Sequence, residues 1–264
     1  MDLGLSNKVA WVLGGSSGLG RASAESLAHE RAAVAISSRD PERIEKAAAE
    51  ISAATGSRVL GIAADVRDAV ALSSAHTRIT VELGDVDILI GNAGGPTPGP
   101  FESFDDNALY EAFTLTTASA RRLAHLVTPA MVRGGSGTIL FLTSASTKEV
   151  AEGLLLSNMM RAAVVGLAKT MSKEYGPRGL RVLCVAPGRI ATDRLVQLDA
   201  ITAERTGKTP QEVAESWAQR IPLGRYGGPR EFGDVVAFMA SERASYVTGT
   251  SVLVDGGMLS STHA

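Results

Sequence analysis

The feature that most constrains this chain is a repeated switch between short apolar runs and longer stretches of mixed polarity. The runs are Val9–Leu13, Ala33–Ile36, Val59–Ala63, Ile88–Ile90, Thr138–Leu142, Val182–Val185 and Ser251–Val254. Nearly continuous apolar character, without a wet alternate position, reads as strands buried on both faces, as in a parallel sheet. Between the runs lie segments such as Pro41–Thr55, Asp68–Leu83 and Asp105–Val132, each long enough for a crossover helix. Pro41 follows Asp40, a helix start, and Gly56 and Gly84 stand where helices are expected to end. The pattern predicts an α/β chain: a single doubly wound parallel sheet of about seven strands flanked by helices, in one domain over residues 1–264.

Composition narrows the function classes. With 264 residues the chain can bury one large core, and 45% apolar and 20% charged residues are ordinary for a globular domain. A formal net charge of −2 gives no general attraction to nucleic acid or to an anionic membrane. No apolar run reaches the ~18 residues of a membrane span, and the first eight residues lack the apolar segment of a signal peptide. A cytoplasmic protein without a nucleic-acid or membrane partner is expected. Cys184 is the only cysteine and lies in the apolar run Val182–Val185, the place of a buried structural thiol. His29, His76, His125 and His263 fall at no motif; His29 and His125 read as ordinary helix residues and His263 as part of a mobile tail. No His, Cys, Asp and Glu spacing predicts a metal site.

Gly14-Gly15-Ser16-Ser17-Gly18-Leu19-Gly20 follows the first run and opens a helical stretch. Glycines there let the backbone turn tightly and approach a pyrophosphate, whose charge the helix N-terminus meets. The second strand ends Ser37-Ser38-Arg39-Asp40. An NAD-binding chain places an acidic side chain at this point for the ribose 2′-hydroxyl. Here neither serine is acidic, Asp40 comes late, and Arg39 suits a 2′-phosphate. NADP(H) is therefore favoured over NAD(H).

The spacing Gly14-x-x-x-Gly18-x-Gly20 resembles the pattern of the short-chain dehydrogenase/reductase family, and further elements follow in that family's order. Ala64-Asp65-Val66 resembles the element whose Asp meets the adenine. Gly91-Asn92-Ala93-Gly94 resembles N-N-A-G, with Gly91 in place of the first Asn. Pro187-Gly188-Arg189-Ile190-Ala191-Thr192 resembles P-G-x-x-x-T, which positions the nicotinamide amide. Tyr246–Gly249 and Val254–Gly257 resemble the closing strand and its turn. Leu13 replaces the usual Thr before the first glycine, so one hydrogen bond within that turn is expected to be lost. The resemblance thus implies cofactor contacts from Gly14, Ser16, Ser17, Gly18, Leu19, Gly20, Arg39, Asp65, Val66, Asn92, Ala93, Gly94, Arg161, Pro187, Gly188, Ile190 and Thr192.

The family's catalytic residues are Asn, Ser, Tyr and Lys. In this chain the corresponding positions are Thr116, Ser144, Ser157 and Arg161, so only the serine is retained. A phenol titrates near ~10 and can be lowered by a neighbouring cation. A serine hydroxyl is a far weaker acid with a shorter reach, and an Arg stays protonated. A positioned general acid contributes about 10²–10⁴ in rate. Lys148 and Glu149, in the loop after Ser144, are the candidate substitutes for the missing donor, although a solvated charge pair explains them better.

Residues 193–225 fit the family's substrate lid, with Thr209 and Glu212 spaced for a capping box. Leu154, Leu155 and Leu156 would line an apolar pocket or simply the core. Met159–Met171 is apolar almost all round, and the equivalent helix of the family packs against a partner subunit, often in a tetramer. A homo-oligomer is expected. The resemblance implies an NADP(H)-dependent oxidoreductase acting on a carbonyl or secondary alcohol, of the 3-oxoacyl-[acyl-carrier-protein] reductase kind, with an altered proton donor. The altered donor leaves two alternatives: a catalytically impaired NADP(H)-binding protein acting as a sensor or inactive subunit, and a non-redox reaction on the same scaffold.

Overall fold

The structure is a computed structural model, and it describes residues 1–261; His263, expected in a mobile tail, lies outside the described residues. Seven parallel strands form one sheet in the order β3-β2-β1-β4-β5-β6-β7. They are β1 Val9–Leu13, β2 Ala33–Ser38, β3 Val59–Ala63, β4 Ile88–Gly91, β5 Gly137–Leu142, β6 Leu180–Pro187 and β7 Ser251–Val254. Every expected run is a strand. The differences are at the ends, where the ladder outlasts the apolar residues: Ser38 of β2 pairs with Ala63, and Pro187 of β6 with Val254.

The pleat divides each strand between two cores. Ala10 and Val12 face a core completed by Leu27, Ile44 and Ile51 from helices α1 (Gly18–His29) and α2 (Pro41–Thr55) and by Phe232 and Val236 from α9 (Pro229–Ala240). Trp11 and Leu13 face the other, with Leu72 and Ile79 of α3 (Ala69–Glu82), Leu123 and Val127 of α5 (Ser119–Gly134), and Val164 and Met171 of α6 (Leu155–Tyr175). Cys184 is buried in this second core, and burial pushes its thiol up to about 12, so it stays protonated and inert.

Asp40 caps α2 by accepting from the Arg43 N–H at 3.0 Å, and Gly56 ends that helix at φ 71°. The single helix expected over Asp105–Val132 is instead divided. α4 (Asp106–Phe113) gives way to a wide π turn over Thr114–Ala118 before α5 begins. Three β-branched threonines crowd this turn, and the Ser119 hydroxyl donates to the Leu115 carbonyl at 2.6 Å and the Thr116 carbonyl at 3.0 Å. The segment expected to form a lid contains α7 (Asp193–Thr206) and α8 (Pro210–Ala218), and Thr209 and Glu212 form the capping box read from their spacing.

Candidate active site

All seven strands run the same way, so their carboxyl ends lie along one edge, where ligands of doubly wound sheets bind. The turn after β1 is built around absent side chains. A Cβ at Gly20 would collide with the Gly14 carbonyl, and one at Gly14 would lie 2.6 Å from Asn92 Nδ2. Asn92 instead donates to the Leu13 carbonyl at 3.2 Å, tying the first turn to the turn after β4. Gly18 lies against Thr192, at 3.7 Å from a would-be Cβ, so the turn after β6 closes the same cradle. At the N-cap of α1, Ser17 makes no side-chain capping bond, which leaves first-turn N–H groups for an anion.

The β2 end separates its two serines. Ser37 is fully buried and accepts from Trp11 Nε1 at 3.0 Å, so it belongs to the core. Ser38 Oγ is buried without a partner among the described residues, beside exposed Arg39. An orphaned hydroxyl next to a free guanidinium fits a 2′-phosphate. Asp65 is held by Arg67 at 2.6 Å; that bond, with a smaller contribution from the charge of Arg39, keeps its carboxyl below the usual range.

The four positions expected to carry the catalytic groups lie just after β5, on α6 and in the π turn. Ser144 follows β5 in extended conformation, and its hydroxyl accepts from the Ser146 N–H at 3.1 Å. Its own proton stays available. Ser157, in the first turn of α6, has no side-chain partner among the described residues. Arg161, one helical turn on, donates from Nη1 to the Leu142 carbonyl at 2.8 Å. Burial and the charge of Arg194 push this guanidinium down to about 10, still protonated near neutrality. Thr116 sits in the π turn with Oγ1 buried and without a partner among the described residues. Thr116, Arg161, Asn92, Gly91 and Phe141 line one cavity of about 20 Å³, the size of a single water. Ser144 and Ser157 do not line it.

Gly91 has a local reason. A Cβ there would lie 2.7 Å from the Phe141 ring, so the position is filled from β5. Lys148 and Glu149 do not form the expected pair: Lys148 is half-buried, Glu149 is exposed, and no ion pair joins them among the described residues. Leu156 packs with Ala112 and Met160 as core.

Sequence reasoning missed two groups. Arg189 pairs with Asp199, which also accepts from Tyr226 Oη at 2.9 Å, and the guanidinium lies 3.9 Å from the Trp217 ring centroid. This fastens the turn after β6 to α7 and α8. Burial pushes the Tyr226 phenol up to about 12, so it is no substitute for a catalytic tyrosine. Arg194, at the start of α7, donates to the Pro96 carbonyl at 2.9 Å and so joins α7 to the loop after β4. The signal for both was only their place in or beside P-G-x-x-x-T.

Known proteins match this arrangement along nearly the whole chain. The family model described as enoyl-(acyl carrier protein) reductase matches residues 14–259. The chain belongs to the short-chain dehydrogenase/reductase family. It is 30% identical to the NADPH-dependent reductase BacG of Bacillus subtilis, over 97% of this chain and 100% of that one. It is 31% identical to the 3-oxoacyl-[acyl-carrier-protein] reductase FabG of Aquifex aeolicus, over 98% and 100%. Among solved structures, L-sorbose reductase of Gluconobacter frateurii, complexed with NADPH and L-sorbose, superposes with a TM-score of 0.93 at 31% identity, covering 99% of this chain and 100% of that one.

Proposed function

We propose that this chain is an NADP(H)-dependent oxidoreductase that reduces a carbonyl, or oxidises the corresponding secondary alcohol, without a tyrosine acid. The observation that carries the reading is the cradle formed by the Gly14–Gly20 turn, Asn92 and Thr192, with the orphaned Ser38 hydroxyl beside Arg39. Similarity to an NADPH-dependent reductase and to a sorbose reductase bound to NADPH supports the same choice.

Gly14, Ser16, Ser17, Gly18, Leu19 and Gly20 would hold the pyrophosphate, and Ser38 and Arg39 the 2′-phosphate. Asp65 and Val66 would border the adenine. Asn92, Ala93 and Gly94 would support the ribose side, and Pro187, Gly188, Ile190 and Thr192 the nicotinamide. When bound, NADPH supplies the hydride. Ser144 donates its free proton in a hydrogen bond to the carbonyl oxygen, and Ser157 lies on the adjoining helix to do the same. Arg161 contributes a fixed positive charge that favours the developing alkoxide, while the proton itself comes from water. Thr116 and Arg161 hold polar groups around the water-sized cavity.

The chain acts as a single domain with a lid near 193–225. No described helix is long and apolar enough to cross a membrane, and a cytoplasmic location is part of the proposal. Phe113 is 45% exposed and flanks, with Thr117 and Leu167, an open recess on the α5–α6 face. Burying that face supports a homo-oligomer, with a tetramer or dimer as the expected size. The free Ser157 hydroxyl favours one second reading, a cofactor-binding protein with little turnover. The test is NADPH and NADH titration followed by initial rates of NADPH oxidation across a carbonyl panel. Tighter NADPH binding with turnover supports the reductase, and binding without turnover favours the second reading.

A further inference from the structure

Two arginines flank the loop that follows β4, and neither pairs with an acid among the described residues. Arg161 commits one donor to the Leu142 carbonyl, and Arg194 commits one to the Pro96 carbonyl. Neither is among the ion pairs of the described residues, whereas Arg189, in the turn after β6, is matched by Asp199.

The two unpaired arginines share one roof, the loop that follows β4. Asn92 and Ala93 border the cavity beside Arg161. A Cβ at Gly95 would lie 2.9 Å from Arg194 Nη2, while one at Gly94 would meet nothing within 4 Å. The loop is also pinned to the start of α6, where the Gly99 N–H donates to the Gly153 carbonyl at 2.7 Å, just before Ser157. Burial pushes both guanidinium groups down, and for Arg161 the charge of Arg194 adds to it. Two cations set against one loop, each with its hydrogen bond to a backbone carbonyl rather than to an acid, call for an anion.

We propose that Arg194, with Arg161 behind it, binds a carboxylate on the substrate, so that the reaction is reduction of an oxo acid. This rests on the reductase reading above. The carbonyl carbon would receive a hydride from NADPH and its oxygen a proton from water; the C=O π bond gives way to C–H and O–H bonds, and NADP⁺, a hydroxy acid and a hydroxide that the buffer neutralises remain. Arginine suits this role because its planar fork meets a carboxylate through two parallel hydrogen bonds.

The test pairs pyruvate and phenylpyruvate with their methyl esters as substrates of the full chain. Calorimetry of oxamate and oxamide on the NADP⁺ complex runs beside it. The acids should be favoured at least tenfold in kcat/KM, oxamate should bind at least tenfold more tightly than oxamide, and Arg194→Gln should shrink both ratios at least fivefold. Acids and esters reduced equally well would overturn the carboxylate site and leave the reductase standing. Oxamate binding without any NADPH oxidation would keep the site and remove the reductase. Oxamate binding no better than oxamide overturns the site whatever the rates. If Arg194→Gln instead weakens NADPH binding tenfold, the charge serves the cofactor and the proposal falls.

Discussion

The two ends of this site are built on different principles. At the nucleotide end, shape comes from backbone: glycines leave room, Asn92 ties two turns together, and a helix N-terminus is left open for an anion. At the catalytic end, everything depends on which side chain stands at each position, and the proposal places Ser157 and Arg161 where the family carries a phenol and an amine. Substitutions there can therefore change the chemistry while leaving the Gly14–Gly20 turn and its Asn92 tie intact, because neither is built from those side chains. The helix that carries Ser157 and Arg161 still packs Val164, Ala168 and Met171 into the core.

The largest expected effect comes from rebuilding the catalytic end. Ser157→Tyr with Arg161→Lys should raise carbonyl reduction by up to about 10²–10⁴-fold, the worth of a positioned general acid. Ser157→Tyr alone should gain less, because Arg161 does not relay a proton. Initial rates of NADPH oxidation on folded, cofactor-bound variants decide it. A parent that already matches the double variant breaks the comparison, and Lys148 becomes the next residue to replace.

The next effect lies at the nucleotide end. Arg39→Ala should weaken NADPH binding by roughly tenfold or more, corresponding to a charge-assisted contact of about 1.5–3 kcal/mol, and should leave NADH almost unchanged. Fluorescence titration of both cofactors measures it. Equal losses for the two would remove the assignment of the 2′-phosphate to Arg39.

Two glycines sharpen the contrast between relief and rigidity. Gly91→Ala pushes against the Phe141 side chain and should cost about 1–3 kcal/mol of stability, recovered in part by Phe141→Leu. Gly20→Ala pushes against the Gly14 carbonyl, where no side-chain trimming helps, and should lose cofactor affinity as well. Denaturant midpoints and NADPH titrations separate the cases; rescue of neither or both would erase the distinction.

Legibility in the sequence follows a similar divide, between local and tertiary causes. The strands were legible because aliphatic runs at helix-length intervals have few other solutions, and the caps at Asp40 and Thr209 because capping is local. Ser37 and Ser38 look alike in sequence; only the fold sends one to Trp11 and leaves the other unpartnered. The fit of Gly91 depends on Phe141, a distant residue brought alongside by the pairing of β4 with β5. The Arg189, Asp199, Trp217 and Tyr226 cluster and the reach of Arg194 to Pro96 are likewise tertiary, with no periodicity to announce them. The π turn that carries Thr116 interrupts what reads as one helix, since its crowding depends on how the threonines pack.

The smallest expected effect tests whether an orphaned polar atom marks a site. Among the described residues His76 Nε2 is buried without a partner, as Thr116 Oγ1 is, but its ring lies 6.0 Å from Trp11, within the packing of α3. Burial holds the imidazole below its ordinary 6.5, against a weaker opposing pull from Asp85. A base with a depressed folded-state value binds its proton less readily when folded. Its contribution to stability is therefore complete above about 6.5 and declines as pH falls through that value toward the folded one. His76→Phe should flatten the dependence of melting temperature on pH between about pH 7 and pH 5. The change should be small, because solvent screens a half-buried ring. NADPH affinity should not change, because the histidine serves packing rather than the cradle. Parallel melting curves for parent and variant would reject the burial account, and a loss of NADPH affinity would move His76 from the core into the site.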